Sequence, residues 1–332
     1  MTPGHGAECL HAGSLPSSTT GWRFSTRVWY AGASMKAIPI IASIFHSDGG
    51  AMFGLVPRPI WSRMIAPDDQ NRIPQVSRVL FVELDDGRRG IIDTGCGDPG
   101  TFSEREQELH ALPPHWPLPE ALAALGIATT DIDFVLLTHL HWDHGGGVGH
   151  VRGEHIEWTF PKATVFVHAT EWQDACAGDP LLYKSYPAAT LAPLKALPPA
   201  RRHLFDMDSG TLLPGIEVHR SGGHTRGHCS YCLPDAELID PATGAVIHAG
   251  GILFAGDVLS SQHHLRMVFQ SAYDTYPLDT RAWKRTWLPR VAAQHWALVL
   301  DHDPSTDAIW IEPDSRKEYR VSRAWPAPVS SE

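Results

Sequence analysis

The stretch LLTHLHWDHGGG, residues 136–147, sets three histidines and an aspartate within six positions and then closes on three glycines. It continues DIDFVLLT (131–138), an apolar, β-rich run that predicts a buried strand ending at His139. Alternate side chains of an extended segment share a side, so His139 and His141 can face one point. Asp143 and His144 follow as the chain turns, and the glycines let the backbone fold tightly beside them. With 20 histidines in 332 residues some crowding arises by chance, but the strand-end position argues for chemistry. Imidazole and carboxylate suit Zn2+, Fe or Mn, each taking three or more protein ligands plus a water. Two such sites about 3.5–4 Å apart would make a two-metal hydrolase.

Four side chains do not complete two sites, so further donors are expected at other strand ends. GGHTRGH supplies His224 in a glycine-rich loop, FAGD supplies Asp257 after a strand, and LDHD supplies His302. His295 is a rival to His302, but it opens its strand instead of ending it. His228 reads as a structural hydrogen-bonding histidine.

The order T-H-x-H-x-D-H, G-H-T-x-G-H, G-D and a late His, over residues 37 to 312, resembles the metallo-β-lactamase superfamily. The resemblance implies an α/β (α+β) four-layer αββα sandwich: two mixed sheets face to face, helices outside, the site at one edge. It implies that His139, His141 and His224 hold one metal and Asp143, His144 and His302 a second. Asp257 would bridge them, and Asp93 in IIDTG would support the site from behind. Asp143 and Asp257 are the expected catalytic carboxylates. The cofactors would be two divalent metal ions, zinc first, with Fe, Co or Mn as alternatives. Within the superfamily the nearest likeness is to the quorum-quenching N-acyl-homoserine lactonases, carried by DGGAMFGLVPRPIW, AYDTYPLDT and the final DHD. Those lactonases have a tyrosine three residues after the bridging aspartate, where this chain has Ser260; Tyr273, Tyr276, His263 and His264 are candidate substitutes. The implied reaction is lactone opening by a water ionised between the metals. Alternatives are hydrolysis of a thioester, organophosphate or β-lactam, and a metal-free sensor. A redox di-iron centre is disfavoured, because oxygen-reducing relatives carry glutamate where this chain has His141.

The remaining sequence sets bounds. The formal net charge of −10 and a pI near 6.0 disfavour nucleic acid as a partner, leaving a small-molecule lactone or ester. No apolar run approaches the roughly 18 residues of a membrane span, so no membrane partner is expected; homodimer formation stays open. Without a visible secretory signal, a cytoplasmic location is the default. Five cysteines are too few and scattered for a disulfide scaffold, and Cys229 and Cys232 lie in a predicted strand where they face opposite sides. Residues 1–34 read as a flexible extension or as translation upstream of a start at Met35. Residues 35–320 read as one hydrolase domain and 321–332 as a tail. The segment 48–61 reads as a loop exposing Met52, Phe53 and Trp61, which, with Met267 and Phe269, are candidates for an acyl-chain pocket or plain core.

Overall fold

In the computed structural model, which describes residues 35–153, 155–179, 182 and 184–326, the chain enters on a long strand, β1 (Met35–Asp48). The expected extension, 1–34, lies outside the described residues. Two short helices follow, α1 (Gly49–Phe53) and α2 (Arg58–Trp61), and then a hairpin of β2 (Arg72–Glu83) and β3 (Arg89–Ile92). After α3 (Glu104–His110) and α4 (Pro117–Ala124) come β4 (Phe134–Leu136) and a single helical turn, α5 (Trp142–Gly145). A small ribbon, β5 (Gly149–Arg152) with β6 (His155–Trp158), precedes β7 (Thr164–His168), α6 (Ala169–Ala177), α7 (Ala188–Ala196) and β8 (Arg202–Phe205). The second half runs β9 (Ser209–Leu213), β10 (Ile216–Arg220), β11 (Cys229–Ile239) and β12 (Val246–Phe254). It closes with α8 (Pro277–Gln294), β13 (Ala297–Val299), β14 (Ala308–Asp314) and β15 (Glu318–Trp325).

The strands pair in the order β15-β14-β13-β12-β11-β1-β2-β3-β4-β7-β8, with β10 and β9 branching from β11. The two sheets expected are thus joined as one ladder, through a short parallel seam where Met35–Ala37 meets Ala236–Leu238. Its two wings still pack face to face. Leu80, Val82, Leu136 and Phe166 of one wing share a buried cluster with Val218, Tyr231, Phe254 and Val299 of the other. Successive strand residues point to opposite faces, so Val79 and Phe81 look outward instead. They join Leu118 and Leu122 of α4 and Leu191 and Leu194 of α7. On the far side Trp283, Trp287 and Val291 of α8 cover Leu253, Leu298 and Ile309. This is the αββα order. With both faces covered, β2 needs its unbroken apolar run, each buried side chain contributing about 1.5–3 kcal/mol. An aspartate at Val82 would put an unpaired charge between the wings.

Two expectations are corrected. Residues 48–61 are not an exposing loop: Met52, Phe53 and Trp61 are 6%, 0% and 1% exposed. The Asp48 carboxylate accepts from the Ala51 amide at 2.7 Å and starts α1, and Phe53 then stacks on Trp61 with ring centres 5.7 Å apart. Phe269 packs in the same cluster and Met267 against the α8 side, so these side chains are core and not an open pocket. The fold also runs past residue 320. β15 pairs antiparallel with β14 as far as Ala308–Trp325, because ladder bonds continue to Trp325.

No described helix is long and apolar enough to cross a membrane. Cys229 belongs to the inner cluster and Cys232 to the α8 side; both are buried free thiols on opposite faces of β11.

Candidate metal centre

The donors converge at the ends of the strands. β4 stops at Leu136, and His139 and His141 follow before α5 carries Asp143 and His144. The glycine run then presses against the loop after β3. A Cβ on Gly146 would lie 2.3 Å from the Cys96 carbonyl oxygen, and one on Gly147 2.2 Å from that of Thr94. His224 lies in the turn between β10 and β11, Asp257 in a short turn after β12, and His302 just beyond β13.

Six of the seven expected ligands fall within two donor groups; Asp143 lies outside both. His139, His141, His224 and Asp257 form one group whose donor atoms lie within 4.8 Å of one another; His144, Asp257, Asp301 and His302 form a second. Asp257 belongs to both: its Oδ2 is 3.0 Å from His224 Nε2, its Oδ1 2.9 Å from His302 Nε2 and 3.3 Å from His144 Nε2. Asp143 stands at the margin of the second group, its Oδ2 3.6 Å from His302 Nε2 and 3.9 Å from His144 Nε2. Asp301 was not anticipated, although in LDHD it ends a strand as the other donors do.

The donor set fits divalent cations. His139 Nε2 and His141 Nε2 are buried without a hydrogen-bond partner, an arrangement that costs free energy unless a cation completes it. Burial, and then the neighbouring imidazoles, hold the His139 and His141 pKa well below the usual histidine range, which keeps both rings neutral as metal ligands require. At His144 and His224 burial acts the same way, but carboxylates outweigh it. His144 is raised well above its usual range by Asp257, Asp143 and Asp93; His224 is raised to about 10 by Asp257 and Asp274. The field that draws protons onto these rings is the one that would attract a cation.

Behind the donors, His144, His224 and His302 are anchored, which sets their tautomer and orientation. His144 Nδ1 donates to Asp93 Oδ2 at 2.9 Å, and Asp93 also accepts from the Thr138 amide and hydroxyl at 2.8 Å each. Asp93 adopts φ +60°, rare outside glycine, and these bonds hold it there. The expected supporting role thus falls on the His144 side. His224 Nδ1 donates to Asp274 Oδ1 at 3.1 Å, and His302 Nδ1 to the Val76 carbonyl at 2.7 Å. Sequence reading missed Asp274, which sits in AYDTYPLDT with nothing local to mark it. His228 proves structural: its Nε2 accepts from the Asp257 amide at 3.1 Å. Gly256, at φ +64°, is required here, since a Cβ would meet the His228 ring at 2.6 Å.

Two further buried charges tie the ligand loops to the scaffold. Glu171 accepts from the Leu140 amide at 2.9 Å, between His139 and His141, from Tyr186 at 2.8 Å and from Thr225, beside His224, at 2.5 Å. Arg78 donates to the Leu300 and Asp303 carbonyls and pairs with Asp307, fixing the segment that carries His302. The rival His295 caps the C-terminus of α8 and belongs to neither donor group.

Ser260 is buried, and its hydroxyl bonds the Asp257 carbonyl at 3.2 Å. His264 is also committed, to Ser261 Oγ and to the Met52 carbonyl. Tyr273, 45% exposed, has its phenol pushed up to about 12 by burial and then by the Asp143 and Asp48 carboxylates. It is therefore a proton-bearing hydroxyl on the Asp143 side.

A family model for the metallo-beta-lactamase superfamily matches residues 72–239. A probable metallo-hydrolase from Mycobacterium tuberculosis is 27% identical over 254 residues, covering 70% of this chain and 76% of the relative. A solved probable metal-dependent hydrolase from Staphylococcus aureus superposes with a TM-score of 0.74 at 24% identity, over 88% of this chain and 96% of that one. AidC, a dizinc quorum-quenching lactonase solved with a product N-hexanoyl-L-homoserine, gives 0.65 at 18% identity, over 86% and 93%. At these identities the solved structures speak for the fold.

Proposed function

The chain belongs to the metallo-beta-lactamase superfamily and is a metal-dependent hydrolase; within that class we propose that it opens lactone rings, N-acyl-homoserine lactones foremost. What carries the reading is Asp257, one carboxylate with an oxygen turned toward each of two donor groups. His139, His141 and His224 would hold one cation with it, and Asp143, His144 and His302 the other. Zinc is the first choice for an imidazole-rich set. Bound there, divalent cations supply Lewis acidity and acidify water into a nucleophile near neutral pH.

The chain's own residues do the rest. Asp257 keeps the two donor groups in register and is placed to accept the proton released as the ring opens. Tyr273 stays protonated at neutral pH and can donate to the acyl oxygen or the departing alkoxide, the role the Ser260 position does not supply. No Gly-x-Ser-x-Gly elbow offers a side-chain nucleophile, so the hydrolytic route needs none. AidC, described as a lactonase, shares the fold across nearly its whole length, which supports a lactone among the ester-like substrates without excluding the others. A small neutral ester also suits a chain of net charge −10 better than a polyanion does.

The test is a substrate panel run on protein of measured metal content. It comprises homoserine lactones of several acyl lengths, a simple γ-lactone, a thioester, a β-lactam and a phosphotriester. The expected result is lactone turnover well above the others. Preferential turnover of any other member would replace the lactonase reading.

A further inference from the structure

We propose that Asp301 is itself a cation ligand of the second donor group, and that it biases this group toward a harder, oxygen-seeking divalent cation such as manganese(II). The proposal rests on the two-cation reading above and goes beyond it in naming a ligand and a metal preference.

Asp301 is 1% exposed, and neither of its carboxylate oxygens has a hydrogen-bond partner. That is an unusual state for an acidic side chain, since a buried polar group without partners costs a fold free energy. The backbone leaves it no alternative position: its carbonyl accepts from the Arg78 amide at 2.7 Å, and the next residue is the anchored His302. Arg78 makes no hydrogen bond to it: its two terminal nitrogens go to Leu300, Asp303 and Asp307. Instead, one Asp301 oxygen lies within 4.8 Å of donor atoms of His144, Asp257 and His302. Two carboxylates, Asp257 and Asp301, therefore share one buried volume with two imidazoles, and a cation among them removes their repulsion.

The consequence is an asymmetric pair of sites. The first group offers three imidazoles and one carboxylate; the second offers two imidazoles and two carboxylates, with Asp143 at its margin. Imidazole suits zinc, whereas carboxylate oxygens suit manganese. Asp301 supplies the extra oxygen donor on the side where nitrogen is fewer.

A competition experiment decides it. Metal-free full-length protein and its D301N variant are equilibrated with zinc sufficient to fill both sites and about a hundredfold excess of manganese(II), desalted, and read by elemental analysis and by the manganese electron paramagnetic resonance signal. The wild type is expected to hold about one zinc and about one manganese. D301N should keep its zinc and lose manganese affinity on the order of tenfold or more, the range seen when a metal site loses a supporting carboxylate. Zinc in both wild-type sites despite the excess overturns the proposal without any variant, so a misfolded D301N would not shelter it. Equal manganese retention by folded D301N also overturns it while leaving the two-cation reading intact. A wild type that binds a single cation of any kind sinks both.

Discussion

Residues 48–61 and 136–147 look alike on paper: each is a glycine-punctuated stretch carrying large or chemically useful side chains. The fold treats them oppositely. In the first, the apolar rings of Phe53 and Trp61 find one another and Phe269, and the segment becomes a small core. In the second, His139 and His141 are buried just as deeply, yet keep ring nitrogens without partners. Burial alone therefore does not separate structural from functional residues. The separation lies in whether the buried group's bonding capacity is spent inside the protein. Substitutions in the first region should cost stability and spare metal binding; those in the second should do the reverse.

The largest effect is expected from D257N, which removes the carboxylate common to both donor groups. Turnover should fall by more than about a thousandfold, over 4 kcal/mol of barrier, and metal analysis should find at least one cation lost. Full turnover with both metals retained would break the comparison at its centre. Next comes W61A. Emptying a buried tryptophan site should cost about 3–5 kcal/mol of stability, read by urea unfolding, while zinc affinity stays within about threefold. A large loss of metal affinity would mean that the 48–61 core and the donor groups are energetically one unit.

A pH experiment sharpens the contrast from the structural side. Burial, and then the Lys284 charge, lowers the His264 pKa from 6.5 to about 4. The folded state keeps this ring neutral while the unfolded chain protonates it near 6.5, so stability is fully present above that pH. It declines as pH falls toward 4, by up to about 3 kcal/mol. Comparing H264Q with the wild type across pH 4–7 should flatten that part of the slope. An unchanged slope would show that the ring is not held neutral.

The smallest expected effects separate the two donor groups. D93N should weaken cation binding on the His144 side and D274N on the His224 side, each by about 10–100-fold. Stepwise metal titrations should show different steps affected. If both variants weaken the same step, the pairing of each carboxylate with its own half is wrong.

Much of this was legible without coordinates. The strand-to-ligand rhythm pointed to His224, Asp257 and His302, which the fold brings beside the 139–144 turn, because alternation and strand ends leave local marks. The strand of Cys229 and Cys232 was readable for the same reason. The fate of 48–61 was not: an aromatic ring in a loop carries no sign of whether a partner 200 residues away will cover it. Nor could sequence extend the domain beyond residue 320, where the strand Glu318–Trp325 is justified only by the ladder it completes.

By itself, the sequence determined which chemical groups this protein brings to bear, since closely spaced imidazoles and carboxylates at strand ends have few uses besides holding cations. Only the tertiary structure decided which other acids gather around them. Asp274 under His224, Glu171 behind Leu140 and Thr225, and Asp301 facing Asp257 act across gaps of 31 to 54 residues. Electrostatic and hydrogen-bond energies depend on distance in space, and proximity between remote segments leaves no periodicity in the chain to read.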